Sequence, residues 1–339
     1  MSLLLLRNVS LKNQDLKGKM KIDAVITWVD GDDPRHRQKM AQYGPPGIFK
    51  VETIAGRSRY RSVGEIFWCV ASINRFAPFI NRIYIVTDGQ DPGLEGFLER
   101  NFPDGYIPFE IVDHKTIFRG YEQYLPTFNS ISIESMTWRI PGLSDHFIEF
   151  NDDMMLGAPV KEEDFFRPDG SIICHAEKIN LMLVWLTRKL KFRKHGIMPV
   201  SFKGTMMNAA FLAGHKFWML RMDHAPRALR RDFYESYFEN HPEALERNIR
   251  HRFRNHDQYN PEELQFLSLY DAGKCECRPL KGRLFCVYSK GGKEDIRRKL
   301  DALYRSDAPF ICFNSIDHAS ESEMKEIVDF VSKRLSVEL

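Results

Sequence analysis

Asn151, Asp152 and Asp153 stand together between two apolar runs, Phe147–Phe150 before them and Met154–Leu156 after them. Adjacent carboxylates repel each other, so such a pair at the edge of a buried segment asks for a positive charge. Mg2+ or Mn2+ would supply it, because these hard ions take oxygen ligands and reach phosphate groups through one or two carboxylates. The competing reading is a turn in which an aspartate caps the next helix. His224, in Asp223-His224-Ala225-Pro226-Arg227, could accept a hydroxyl proton near neutrality, since an ordinary imidazole titrates near ~6.5. A structural histidine is the plainer alternative. Arg59 and Arg61, separated by one tyrosine, could take phosphate oxygens bidentately or merely pair with surface acids. Trp28-Val29-Asp30-Gly31 offers either a seat for a nucleotide's base and ribose or an ordinary Asp-Gly turn. Arg254 has so many basic neighbours that its residue type alone assigns it no role, and nothing local distinguishes His114, His146 or His256.

Elements must bring such residues together. Ile22–Val29 is rich in β-branched residues and ends in Asp30-Gly31-Asp32-Asp33-Pro34, as a buried strand would. Ser62-Val63-Gly64-Glu65 has the form of a capping box, followed by apolar residues at helical spacing until Pro78. Arg82–Thr87, Phe109–Val112 and His146–Phe150 read as further strands, with a helix from about Ser130 to before Pro141. Strands alternating with helices predict an open α/β sheet, which binds ligands outside the carboxyl ends of its strands. Asp30, Asp88, Asp113 and the Asp152/Asp153 pair should then crowd one rim. Farther on, Lys178–Leu190, Arg227–Glu239, Glu243–Arg252, Pro261–Tyr270 and Ser320–Leu335 read as helices. The expected organisation is an extension over 1–20, an α/β half over 21–175, and a mainly helical half over 176–339 that completes the same catalytic unit.

The 339 residues, 43% of them hydrophobic, suffice for a sizeable core. A net charge of +3 gives no reason to expect nucleic acid. The basic runs 188–194 and 227–254 suit a phosphate-bearing ligand, an anionic membrane surface or simply a solvated face. Cys275 and Cys277 form a lone C-x-C, poor spacing for zinc, so free thiols are expected. The leucines near the start form too short a run for a signal core or a membrane span.

Taken together, residues 22–34, 59–90, 125–134 and 139–157 resemble the first two conserved blocks of the Stealth family. That family comprises bacterial capsular polysaccharide phosphotransferases and the animal N-acetylglucosamine-1-phosphotransferase. Residues 223–233 and 251–257 resemble the third block and 310–318 the fourth. The resemblance implies a glycosyltransferase-A-like α/β core with a mostly parallel sheet. It also implies transfer of a hexose-1-phosphate, N-acetylhexosamine-1-phosphate being favoured, from a UDP-sugar to a saccharide hydroxyl with release of UMP. Carried over residue by residue, it makes Asp153, His224 and Arg254 catalytic and places Mg2+ or Mn2+ at Asp152 and Asp153. Asp30, Gly31, Arg59, Arg61, Asn129, Asn151, Asn314 and Asp317 would bind substrate. The fourth block departs from the family's Asn-Asp-x-x-Asp, reading Asn314-Ser315-Ile316-Asp317, with one carboxylate lost.

In that reading His224 takes the acceptor proton, although Asp153 could serve instead, and the arginines offset phosphoryl charge. The competitors are a glycosyltransferase releasing UDP from the same donor and a silent sugar- or nucleotide-binding partner. The expected setting is the bacterial cytoplasm, with peripheral contact at the inner membrane or the capsule export machinery left open.

Overall fold

A computed structural model describes residues 20–44, 64–195, 200–287, 293–313, 316 and 319–339. The chain opens with β1 (Ile22–Thr27), α1 (Pro34–Tyr43), α2 (Glu65–Phe76), β2 (Ile80–Thr87) and α3 (Leu94–Asn101). There follow β3 (Phe109–Asp113), the short helices α4 (His114–Ile117) and α5 (Ser130–Glu134), β4 (His146–Asn151) and β5 (Met154–Leu156). Next come β6 (Ile172–Asn180), α6 (Leu181–His195), α7 (Phe202–Leu212), β7 (Trp218–Met222) and β8 (Arg227–Arg230). The chain ends through α8 (Arg231–Asn240), α9 (Pro242–Ile249), α10 (Pro261–Asp271), β9 (Cys275–Arg278), β10 (Leu284–Cys286), α11 (Lys293–Tyr304), β11 (Phe310–Cys312) and α12 (Glu321–Leu335).

The central sheet has the order β3-β2-β1-β4-β8, parallel except for β8, which runs antiparallel to β4. Strand β1 is apolar on both faces because both are covered, as in other parallel sheets. Its one charge, Asp23, is fully buried, and its carboxylate accepts from Asn81 Nδ2 (2.8 Å) and from the Ser144 amide (2.7 Å). From β1 the chain steps outward to β2 and β3, then returns to the other side of β1 to make β4. That reversal creates a crevice between the carboxyl ends of β1 and β4, where Thr27 pairs with Asn151.

Two small sheets, β10-β11-β5 and β7-β6-β9, flank this centre, and one hydrophobic core runs through both halves of the chain. Local signals set several boundaries. Helix α2 stops before Pro78, Asn260 caps α10 ahead of Pro261, and Ser320 and Glu323 form the capping box of α12. At the start of α2, Gly64 occupies the cap with φ 101°, and Ser62 lies outside the described residues.

Two expected helices prove to start with strand. Residues 178–180 still belong to β6, and Arg227–Arg230 form β8 before the chain turns helical at Arg231. In both places pairing with a neighbouring strand overrides a sequence compatible with helix. The helix expected from Ser130 is also shorter than read, ending at Glu134 and followed by a 3₁₀ turn over Thr137–Arg139.

Candidate active site

Strand β4 delivers Asn151, Asp152 and Asp153 into the crevice, and the chain then turns at once into β5. The main chain at Asp153 is fixed by the ladder between β5 and β11, which continues into a hydrogen bond from the Phe313 amide to the Asp153 carbonyl (2.8 Å). His224 arrives by another route. It lies in the loop between β7 and β8, and because β8 opposes β4, with Arg227 across from Glu149, that loop is brought to the carboxyl end of β4. Asp153, His224 and Cys312 there offer ligand-type atoms all within 4.8 Å of one another.

Arg254 sits on the loop between α9 and α10, which is tied down by polar contacts. The Phe128 amide donates to the Arg252 carbonyl (2.8 Å), Asn129 Nδ2 to the His251 carbonyl (3.0 Å) and Ser132 Oγ to the Asn248 carbonyl (2.8 Å). Arg254 Nη2 itself donates to Ser130 Oγ (2.6 Å). A cavity of about 570 Å³ results, with Thr27–Val29, Asn151, Asp152, Asp153, His224 and Arg254 in its walls together with Glu65, Glu134, Phe202 and Arg227.

Its electrostatics follow from crowding. Burial pushes the Asp152 carboxyl well above the usual carboxylate range, and the neighbouring charges of Glu65 and Asp153 push the same way. Burial lowers the His224 pKa below its usual 6.5; Asp153 opposes that shift, and the cations Arg227 and Arg254 assist it. The imidazole is therefore neutral at pH 7, the form able to accept a proton. It stacks on Phe202, with ring centroids 6.0 Å apart and planes 19° from parallel.

Arg227 is buried among carboxylates, its Nη1 3.2 Å from Glu262 Oε1 and 3.9 Å from Glu149 Oε2. Glu134 belongs to the same group and faces the cavity. Its pKa is raised to about 7 by burial and by Glu262, against the pull of Arg227 and Arg254.

The residues fit a hard divalent ion. Asp153 Oδ1 and Asn151 Oδ1 are buried without a hydrogen-bond partner among the described residues, and burial beside Glu65 and Asp153 raises the Asp152 carboxyl pKa, a shift that a bound cation would oppose. These are oxygen donors, as Mg2+ and Mn2+ require.

Not every expected residue converges here. Asp30 folds back on its own turn, its Oδ1 accepting from the Asp32 amide (2.9 Å), and neither it nor Gly31 lines the cavity. Asn129 is fully buried behind the wall as a strut for the Arg254 loop. The rim expected from four strand ends is a correction. Asp88 grips α1 through His36 Nδ1 (3.3 Å) and Lys39 Nζ (2.9 Å), and Asp113 caps α4 by accepting from the Lys115 amide (2.7 Å). Arg59, Arg61, Asn314 and Asp317 lie outside the described residues. Sequence reasoning reads Glu65 only as part of a capping box and assigns Glu134 and Arg227 no role, although Glu65 and Glu134 stand inside stretches that resemble the first two blocks and Arg227 inside one that resembles the third.

Comparison with known proteins shows the family. The family models Stealth protein CR1, conserved region 1, and Stealth protein CR2, conserved region 2, match residues 20–45 and 59–173. The receptor polysaccharide phosphotransferase WefC of Streptococcus oralis is 30% identical over 295 residues, covering 80% of this chain and 85% of its own. This chain belongs to the Stealth family. Capsular polysaccharide phosphotransferase WcwK of Streptococcus pneumoniae matches to the same extent, at 30% over 295 residues. Exopolysaccharide phosphotransferase SCO6021 of Streptomyces coelicolor is 32% identical over 316 residues, and there the Stealth chain spans 54% of the relative's length. Among solved structures, mouse xyloside xylosyltransferase 1 aligns at 10% identity with a TM-score of 0.39, covering 87% of this chain and 98% of that one.

Proposed function

We propose that this Stealth chain is a sugar-1-phosphate transferase, moving a hexose-1-phosphate from a UDP-sugar to a saccharide hydroxyl in capsule or exopolysaccharide synthesis. The observation that carries it is the meeting of Asp153, His224 and Arg254, from three distant chain segments, in one cavity at the switch point of the sheet. Its relatives' names supply the reaction class.

In the proposed reaction the acceptor oxygen forms a bond to the β-phosphorus of the donor, and the bridging bond to the α-phosphate breaks. His224 takes the hydroxyl proton, and UMP leaves with the bridging oxygen. Arg254 faces the phosphoryl oxygens, where fixed positive charge lowers the barrier most. Asp152, Asp153 and Asn151 would hold Mg2+ or Mn2+, which supplies charge neutralisation for the diphosphate. Glu134, titrating near 7, is the second group in the cavity able to carry a proton at neutral pH. Thr27, Trp28 and Val29 form the wall on which the uridine is proposed to rest.

The test is to supply UDP-N-acetylglucosamine, Mg2+ and an oligosaccharide acceptor and identify the nucleotide released. UMP is expected, and UDP would establish glycosyl transfer instead. Binding without release from any UDP-sugar would establish a silent partner.

Peripheral contact with an anionic membrane belongs to the same proposal. No helix of the described residues is long and apolar enough to cross a membrane. Helix α6 nevertheless exposes Leu183 (63%) and Leu190 (55%), with Met182 and Leu186 also exposed. Five basic residues and no acid stand in Leu181–His195, a charge that would be attracted to an anionic lipid surface.

A further inference from the structure

Cys174, Cys275 and Cys277 are scattered in sequence but gathered in space. Strands β6 and β9 pair in parallel with Cys174 directly opposite Cys277. Cys275 is two residues before Cys277 on the same strand and so shares its face. The three sulfur atoms lie within 4.8 Å of one another, and all three are free thiols. Cys174 Sγ and Cys277 Sγ approach to 3.0 Å. A tetrahedral zinc thiolate, with Zn–S near ~2.3 Å, sets its sulfurs roughly 3.8 Å apart. A mere redox pair would give Cys275 no reason to point into the same cluster.

The surroundings also suit a cation. Glu263 is fully buried on α10, which packs against β9; its Oε1 accepts from the Leu220 amide (2.8 Å), and its Oε2 is buried without a hydrogen-bond partner among the described residues. Cys174 and Cys275 are buried, while Cys277 is half-buried.

We propose that Cys174, Cys275 and Cys277 bind a thiophilic divalent ion, Zn2+, that clamps β9 to β6. The oxygen-rich cavity is a separate site and calls for a different kind of metal. Thiolates favour zinc, whereas carboxylates and carbonyls favour magnesium and manganese. The clamp would act on the β7-β6-β9 sheet, from which the His224 loop departs at Met222. It does not depend on the transferase reading.

Elemental analysis of the purified full chain tests it, after dialysis against excess Mg2+ to clear zinc from the carboxylates. One zinc per chain is expected, retained in Asp153→Asn and lost in Cys275→Ser, which keeps the Cys174–Cys277 pair. Cobalt added to metal-stripped wild type should produce a thiolate-to-cobalt charge-transfer band, a readout that stands even if Cys275→Ser fails to fold. Zinc lost in Asp153→Asn but kept in Cys275→Ser would overturn the proposal. So would wild type without zinc or a cobalt band, or an intact mass lower by two hydrogens with Cys174 joined to Cys277.

Discussion

Replacing Glu134 by glutamine should stabilise the protein while disabling it, and the stabilisation should depend on pH. An ordinary glutamate titrates near 4.5, whereas the Glu134 carboxyl, buried and facing Glu262, titrates at about 7. Because the folded value lies above the unfolded one, the folded state prefers the protonated acid. That preference gives its full benefit below about pH 4.5, and the benefit is lost as pH rises toward 7. At about 1.4 kcal/mol per pH unit, the penalty above pH 7 is about 3 kcal/mol, shared within the carboxylate group around Arg227. Glutamine has the same shape and never ionises, so Glu134→Gln escapes this penalty. Urea unfolding at pH 5 and pH 8 should show the variant nearly equal to wild type at the lower pH. At the higher pH it should be more stable by about 1–3 kcal/mol. UMP release at pH 8 should meanwhile fall by about 10²-fold or more, as expected for a lost proton carrier. A variant less stable than wild type at pH 8, or equally displaced at both pH values, would refute the burial argument. Full activity would remove Glu134 from the reaction.

The other expectations are direct. Since burial lowers the His224 pKa, the kcat/KM profile should contain a rising step below 6.5 besides the step that Glu134 contributes near 7, and Arg254→Met, removing one of the cations that depress His224, should move the lower step up in whatever activity remains; a Glu134→Gln profile with no step below 6.5 would exclude His224 as the base. Asp153→Asn should abolish UMP release and weaken the Mg2+ dependence of UDP-sugar binding measured by calorimetry, and unchanged Mg2+ dependence would place the metal elsewhere. Arg227→Met should cost about 3–5 kcal/mol in urea unfolding at pH 8, because it strands buried carboxylates, and less at pH 5; equal losses at both would show a packing effect only. Leu183→Glu combined with Leu186→Glu should cut co-sedimentation with anionic vesicles by about tenfold or more without changing turnover of a soluble acceptor, and undiminished sedimentation would free α6 of that role.

Much of this was legible before folding was considered. The parallel strands announced themselves as β-branched runs, and Asn151-Asp152-Asp153 was conspicuous because like charges at a strand end need an explanation. His224 offers proton transfer by its residue type alone, with a structural role the plainer alternative, and Arg254 takes a role only through resemblance, since its basic neighbours carry no local signal. The rim was misread because a strand-terminal aspartate serves equally well as a helix cap, which Asp113 is, or as an anchor, which Asp88 is. Strand β8 was hidden because Arg227–Arg230 is too short to show alternation, and its partner β4 is far away in sequence. The thiol cluster was invisible for the same reason: Cys174 meets Cys277 through a pairing that no local spacing encodes.

The antiparallel pairing of β8 with β4 also works as a ruler. His224 precedes Arg227 by three residues, and Asp153 follows Glu149 by four, counted from one rung of a shared ladder. Sliding that ladder by one residue would turn Arg227 to the wrong face, and sliding it by two would carry His224 about 7 Å along β4. The span between imidazole and carboxylate is thus held by main-chain hydrogen bonds that neither side chain makes. Exchanging either side chain should leave the gauge itself intact, so an inactive His224 or Asp153 variant reports lost chemistry and not a collapsed frame.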